Sequence, residues 1–349
     1  MGRSGLRAAL ALSALLAPVH ALAAPGTTSP ESLRVAVAPR PAAMGEAFSG
    51  LADDVNAIAY NPGGLGFLER QEIALMHNQF INGVTQDYVA YALPTHRLGT
   101  LAVSANLLKV EPFKAFDQND QPIGEVSADD LALSGAYAVS WRGLSVGGAF
   151  KHITSRLAET TARGAAYDAG AVVRFQRGFS LGASVQNLGK GLKYDQESAP
   201  LPRMTRGGMA WKGPFLWPRS TAAVMVEGGF PNDRKPFVSG GGELRFHPLM
   251  ALRVGYRGSQ DDELKFSWGA GFKIPLRRGG GSSSSEPTWE VRYDRAEAVL
   301  PAELEIDYAF VKLGDLGITH RISLLMRFGR GVPPETSPSW RHGYVPNVD

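Results

Sequence analysis

Asp130-Leu131-Ala132-Leu133-Ser134-Gly135-Ala136-Tyr137-Ala138-Val139-Ser140-Trp141, then Arg142-Gly143, then Leu144-Ser145-Val146-Gly147-Gly148-Ala149-Phe150-Lys151, is the stretch on which the fold turns. Leu131, Leu133, Gly135, Tyr137, Val139 and Trp141 share one face, and Asp130, Ala132, Ser134, Ala136, Ala138 and Ser140 the other. That is a period of two sustained over a membrane-length strand. Arg142-Gly143 is a turn of the length hairpins prefer, and after it Leu144, Val146, Gly148 and Phe150 oppose Ser145, Gly147, Ala149 and Lys151. The alternation continues through Tyr167, Ala169, Ala171, Val173 and Phe175 and, past Gln176-Arg177-Gly178, through Phe179, Leu181, Ala183 and Val185. Consecutive hairpin strands of this kind need a common sheet.

The same grammar returns towards the C-terminus. Leu264, Phe266, Trp268, Ala270, Phe272 and Ile274 alternate with Lys265, Ser267, Gly269, Gly271 and Lys273; Leu304, Ile306, Tyr308 and Phe310 alternate with Glu303, Glu305 and Asp307. Ile322, Leu324, Met326 and Phe328 do so with Arg321, Ser323 and Arg327, so charge falls on one face only. A soluble sandwich turns its apolar face to a core and a barrel turns it to lipid, and periodicity alone leaves both open. About fourteen such segments begin near Glu72, Thr85, Leu98, Ser127, Leu144, Gly164, Phe179, Arg203, Thr221, Pro236, Met250, Glu263, Ala302 and Leu316, an even count typical of outer-membrane barrels. Counted from a periplasmic N-terminus, the short links Arg142-Gly143, Gln176 to Gly178 and His247 to Leu249 fall on the periplasmic side, and Glu111 to Val126 and Leu188 to Pro202 on the outer side, as such barrels require. The long link Leu276 to Pro301 breaks that rule and reads as a flexible insertion. Ala210 to Gly242 is interrupted by Pro214 and Pro218, where Trp211, Phe215 and Trp217 are either interface aromatics or a packed turn.

Composition agrees with half-apolar strands. Gly 41 of 349 residues, 44% hydrophobic residues and a mean hydropathy of -0.12 coexist. A formal charge of +3 is too small to argue for nucleic acid, and the absence of cysteine excludes disulfides, thiolate metal sites and a lipoprotein anchor. Residues 1–24 have the three parts of a secretory signal: Arg3 and Arg7, the apolar run from Ala8 to Pro18, and Ala21-Leu22-Ala23-Ala24 as a cleavage site. No later stretch is apolar for the roughly 18 residues of a spanning helix, so a membrane location requires a barrel. The expected organisation is therefore a signal peptide (1–24), a plug segment (25–70), a β-barrel (71–329, with the insertion at 276–301) and a polar, Pro-rich tail (330–349).

Met44 to Gly66 has a different grammar. Leu51, Val55 and Ile58 recur at helical spacing, Asp53 and Asp54 suit a helix first turn, and Asn61-Pro62-Gly63-Gly64 is a stop. The expectation is a short plug-like helix ahead of a closed sheet. This segment, with Leu51-Ala52-Asp53-Asp54 and Tyr60-Asn61-Pro62-Gly63-Gly64-Leu65, resembles the N-terminal signature of the PorV/PorQ family and, more loosely, of the FadL-type hydrocarbon transporters. Gln186-Asn187-Leu188-Gly189, Ala251 to Arg257, Ile306 to Phe310 and Gly314 to Leu324 look like the PorV/PorQ C-terminal half, in family order. The resemblance implies a fourteen-stranded outer-membrane barrel with an N-terminal plug in a Gram-negative bacterium. FadL-type members move hydrophobic compounds inward, and PorV-like members receive exported cargo in type IX secretion. The tail after Phe328 and the 276–301 insertion depart from the family pattern.

Chemistry is sparse. His77, His96, His152, His247 and His320 are scattered without metal spacing, and neither a Ser nor a Cys nucleophile context is present, so neither an enzyme, a cofactor nor a metal is expected. Asp53, Asp54, Asn61, Pro62, Gly63 and Gly64 are the candidates for a gating plug. Asp53-Asp54 reads alternatively as helix-start electrostatics, since neighbours on a helix point about 100° apart. Asp168, Arg174, Arg253, Arg257, Asp307, Arg321 and Arg327, with Glu243, Arg245 and Glu305, face inward and line either a solute path or a salt-bridged lumen. Two functions fit: passive passage of hydrophobic small molecules, or a protein-binding barrel serving secretion or surface assembly. The expected partners are outer-membrane lipid with a hydrophobic ligand or with secretion-system and cargo proteins, and not nucleic acid.

Overall fold

The computed structural model describes residues 27–329 apart from 81–82, 96–97, 117–118, 120, 196, 216–219, 247–248, 260–264, 277–301 and 313–316. The expected signal peptide, insertion and tail lie outside the described residues. The strands are β1 (Gln71–Gln79), β2 (Val84–Thr95), β3 (Gly99–Phe116), β4 (Pro122–Trp141), β5 (Leu144–Leu157), β6 (Thr160–Arg174), β7 (Phe179–Leu188) and β8 (Leu192–Tyr194). Then follow β9 (Glu197–Ala199), β10 (Met204–Pro214), β11 (Thr221–Pro231), β12 (Phe237–Phe246), β13 (Met250–Ser259), β14 (Lys265–Leu276), β15 (Ala302–Lys312) and β16 (Ile318–Phe328). Fourteen of them close into one antiparallel barrel, each paired with its sequence neighbours and β1 with β16, while β8 and β9 form a separate hairpin in the β7–β10 connection. The barrel is therefore the fold, and a sandwich is excluded. Among the described residues no helix is long and apolar enough to cross a membrane.

The alternation read from the sequence holds in the wall. Leu133, Tyr137, Val139, Trp141, Val146, Phe150, Phe266, Trp268, Phe272, Ile322 and Leu324 are exposed on the outside, whereas Ala132, Ala136, Ala138, Ala149 and Ala309 are buried inside. Arg142 (φ 47°) and Gly143 (φ 83°) both adopt the left-handed conformation that a two-residue hairpin turn demands, and Trp141 pairs with Leu144 across it. Two boundaries differ from expectation. Glu111 to Val126 is not a long loop, because β3 and β4 run on as a paired ribbon from Phe113↔Val126 to Phe116↔Pro122, and β6 starts at Thr160 rather than near Gly164. In both places polar residues at strand ends hid the pairing. Pro214 ends β10, where it needs no ladder partner beyond Thr221, and Trp211 donates from Nε1 to the Arg177 carbonyl at 3.1 Å.

Residues 27–70 fill the lumen. Val37, Met44, Phe48, Leu51, Val55, Ile58, Tyr60 and Leu65 form one buried cluster with inward Ala74, Met76, Ala90, Ala102, Val172, Met225 and Leu325 of the wall. Burying each of Met44, Phe48, Ile58 and Leu65 contributes about 1.5–3 kcal/mol, enough to hold the segment against water in the lumen. The expected single plug helix is not formed. Short helices at Pro39–Ala43 and Ala57–Tyr60 and a 3-10 turn at Pro62–Phe67 are joined by turns in which Gly45, Glu46 and Ala52 take positive φ. Leu51, Val55 and Ile58 are buried as their spacing suggested, but the chain folds to the shape of the lumen rather than to a helix.

Candidate functional site

The plug crosses the lumen from end to end. Leu68 leads into Gln71 at the near rim, where β1 begins and β16 ends, while Thr28 hydrogen bonds Asp233 in the β11–β12 connection at the far rim. Ser29 and Tyr194, at the β8–β9 hairpin, are hydrogen bonded at 2.7 Å, and Leu192 packs with Ile153, Ala162, Ala166 and Leu201, with Leu33 against them. The segment thus meets the β11–β12 connection and that hairpin at the far mouth.

Asp54 does sit at a helix start, its Oδ1 accepting from the Asn56 N–H at 2.9 Å and its carbonyl from the Ala57 N–H at 3.0 Å, whereas Asp53 does not. Asn56 occupies the N-cap position of Ala57–Tyr60, and both carboxylates also meet Arg40, whose Nη1 lies 2.6 Å from Asp53 and 2.7 Å from Asp54. Arg40 also reaches Glu243 of β12 at 2.9 Å, and Asp53 takes Lys212 of β10 at 2.6 Å. Burial raises the Asp53 pKa, but the Arg40 and Lys212 charges outweigh it and hold this carboxyl well below the usual carboxylate range. Glu46, turned towards Arg257 (2.7 Å) and Arg206 (3.5 Å), is likewise lowered against burial by those two guanidiniums.

Asn61-Pro62-Gly63-Gly64 forms the foot of the plug. The Asn61 amide donates to the Ser49 carbonyl at 2.9 Å and to the Ala171 carbonyl of β6 at 3.0 Å, while its oxygen accepts from Gly63 N–H at 3.1 Å. A Cβ on Gly63 would stand 2.8 Å from the Ala171 Cα, and one on Gly64 would strike Ala52. The wall is cut to match. A Cβ at inward Gly147, Gly170, Gly182, Gly241 or Gly255 would run into plug atoms: the Pro62 carbonyl, the Asn61 side chain, the Ser49 carbonyl, the Met44 carbonyl and the Gly45 amide respectively. The high glycine content thus serves close backbone approach between plug and wall.

All the charged residues expected in the lumen are inside, and most of them form ion pairs. Arg253, fully buried, contacts Glu243 at 2.7 Å, Glu305 at 3.1 Å and Asp307; Arg327 joins Glu72 at 3.0 Å and Glu305 at 2.7 Å. Asp168 pairs with Lys151 at 2.8 Å. Arg174 lies 4.0 Å over the Phe67 ring, Arg257 lies 3.8 Å over the Phe237 ring, and Arg321 donates to the Ala36 carbonyl at 2.8 Å. Sequence reasoning missed Arg40, Glu46, Glu72, Arg206 and Glu227. Glu227 accepts from the Phe48 and Ser49 amides at 3.1 and 2.7 Å and from Arg206 at 2.8 Å, and its inward place in the β11 alternation was the available signal.

Two cavities flank the plug. At the near rim a hollow of about 330 Å³ is lined by charge, with Arg40, Asp53, Arg70, Arg174, Arg245 and Lys273 among its walls. At the far rim a larger cavity of about 910 Å³ has a mixed lining, in which Leu33, Phe80, Val84, Leu108, Phe237 and Val311 share the wall with charged side chains, Arg34, Glu46, Arg206, Asp233, Arg257, Lys265 and Arg321 among them. Among the described residues no three His, Asp or Glu side chains converge to hold a metal ion.

The chain shares its fold with solved hydrocarbon channels and toluene transporters. The CymD monoaromatic hydrocarbon channel superposes with a TM-score of 0.52 at 10% identity, covering 85% of this chain and 98% of that one. The toluene transporter TodX of Pseudomonas putida gives 0.52 at 11% identity, covering 84% and 97%, and the toluene transporter TbuX of Ralstonia pickettii gives 0.51 at 11%, covering 84% and 98%. Residues 23–187, less than half of the 349, match an uncharacterised protein family, UPF0164. No curated protein sequence matches the chain.

Proposed function

We propose that the protein is a barrel of the Gram-negative outer membrane, near rim to the periplasm, that passes hydrophobic small molecules passively. The observation that carries this reading is the cavity of about 910 Å³ at the far rim, where an apolar surface of Leu33, Phe80, Val84, Leu108, Phe237 and Val311 lies among charged side chains above the buried plug. A pocket of that size is large enough for a compact organic ligand. The solved relatives named for hydrocarbon and toluene passage support the same direction. In this reading the Asn61-Pro62-Gly63-Gly64 foot stays seated on β5–β7, and the Arg40–Asp53–Asp54 cluster with Glu243 and Lys212 is the latch that gives way. Purified protein in proteoliposomes should accelerate uptake of a hydrophobic fluorescent probe such as naphthalene, and Leu108→Arg should abolish the acceleration. Uptake no faster than in protein-free vesicles sinks the proposal.

The resemblance to PorV/PorQ proteins gives a second reading, a barrel that binds secreted or surface proteins. The fit of plug backbone into the wall glycines favours it, since a waist packed in that way suits a fixed platform. Co-purification of a stoichiometric protein partner in mild detergent, with probe uptake unchanged from empty vesicles, selects this reading.

A further inference from the structure

On its membrane-facing side the wall formed by β16, β1, β2, β3 and β4 is concave, and the hollow measures about 980 Å³. Leu75, Val89, Leu107, Leu131, Ile322 and Leu324, all at outward positions of their strands, make it apolar. Towards the far rim the same outward rows change character. His77 on β1 and Asp87 on β2 are direct cross-strand partners, joined Nδ1 to Oδ1 at 2.7 Å, and both are more than half exposed (63% and 57%). His320 on β16 stands diagonal to His77, because His77 pairs with Ile322 and Gln79 with His320. Diagonal neighbours on one face are close enough for a single ligand group to touch both.

Each imidazole is held from behind. The Tyr308 hydroxyl lies 2.7 Å from Nδ1 of His320, and Asp87 occupies Nδ1 of His77. With the Tyr308 hydroxyl donating, Nε2–H of His320 remains as a donor; as the imidazolium, His77 gives Nδ1–H to Asp87 and keeps Nε2–H. A carboxylate and two oriented imidazoles are costly on a lipid-facing wall unless a polar group meets them. The sheet does not need them, since its pairing is made by the backbone.

The geometry points to a binding site for one acylated, phosphorylated glycolipid of the outer leaflet. Its acyl chains fill the apolar hollow, its phosphate accepts from Nε2 of His77 and His320, and a sugar hydroxyl donates to Asp87. The polar end of the groove lies at the rim assigned to the outside, which selects the outer leaflet. A phosphate offers the acceptors that two N–H donors need, and the Tyr308 and Phe310 rings, 6.0 and 5.7 Å from the His320 ring, supply flat apolar faces beside a sugar. This inference rests on the reading of the chain as an outer-membrane barrel.

The test is native mass spectrometry of the full chain from nanodiscs containing hexa-acylated lipid A, its dephosphorylated form or phosphatidylethanolamine. The expected result is one lipid A retained per barrel, with at least tenfold less retention of the other two lipids. The double variant His77→Ala/His320→Ala should lose that retention at least tenfold, and His77→Asn/His320→Asn, which keeps polar side chains of smaller size, should do the same. Heat-modifiable migration confirms that each variant is a folded barrel. Equal retention of all three lipids, or retention unchanged in both folded variants, overturns the site and leaves ordinary lipid contact. A wild-type chain that enters the nanodisc and retains no lipid overturns this inference alone, whereas one that does not enter overturns the membrane reading and this site with it.

Discussion

Arg40 of the plug and Glu243 of β12 are joined by two hydrogen bonds, 2.9 Å from Nε and 3.2 Å from Nη2, with both side chains buried. The contact ties a segment of the lumen to the wall and continues through Glu243 to Arg253, Glu305 and Arg327. A buried charge network of this kind adds little net stability over apolar packing, yet breaking one member is expensive because its partners keep their charge without compensation.

Arg40→Leu should therefore cost about 3–5 kcal/mol at the plug, leaving Asp53, Asp54 and Glu243 facing one another. The expected outcome is a barrel that still shows heat-modifiable migration but whose segment 27–70 becomes open to protease and whose single-channel conductance in planar bilayers rises. Conductance and digestion matching the parent would show that the latch lies elsewhere.

Acid should release the same contact, and the sign follows from the depressed Asp53 carboxyl. A group whose folded pKa lies below its unfolded value of about 3.9 stabilises the fold fully above that unfolded value and loses the effect as pH falls through the folded one. The Asp53 contribution to plug protection should be level from pH 8 to about pH 5 and should decline only below about pH 4. Hydrogen exchange of the Ala47 to Val55 amides, followed at pH 7, 5 and 3, reads it directly; a loss between pH 7 and 5 would contradict the assignment.

The wall glycines supply a steric test. Gly241→Val places a side chain against the Met44 carbonyl and should destabilise the plugged state by about 1–3 kcal/mol or more. Gly135→Val, at an outward position with open space around its Cβ, should stay within about 0.5 kcal/mol of the parent. Comparing the two by thermal unfolding in one detergent separates backbone fit from the general effect of adding valine to a strand.

Asn61→Ala removes two donors and one acceptor from a buried site and should cost about 1–3 kcal/mol through the carbonyls of Ser49 and Ala171 left unmatched. Protease cutting near Tyr60 under native conditions, with the barrel intact, is the expected signature.

The wall was legible because its signal is local. A strand with lipid on one side repeats every two residues, and Leu133, Tyr137, Val139 and Trp141 declare the outward face without help from elsewhere. The candidate site was legible only in part. Arg253, Asp307 and Arg327 could be placed inside by parity, but their partners come from other strands, and Arg40 lay in a stretch with no period at all. Helical spacing at Leu51, Val55 and Ile58 marked buried positions and misled as to conformation, because backbone fit against the wall outweighed a weak propensity.

By itself the sequence determined a sheet of about fourteen hairpin strands, its two faces, the order of its turns and the existence of a distinct segment before it, since each is written in neighbouring residues. Only the tertiary structure decided that the sheet closes β1 onto β16, that the segment traverses the lumen, and that Arg40 meets Glu243. Those relations join residues distant in the chain. They are set by the space left when the barrel closes and by the need of every buried charge and backbone group for a partner.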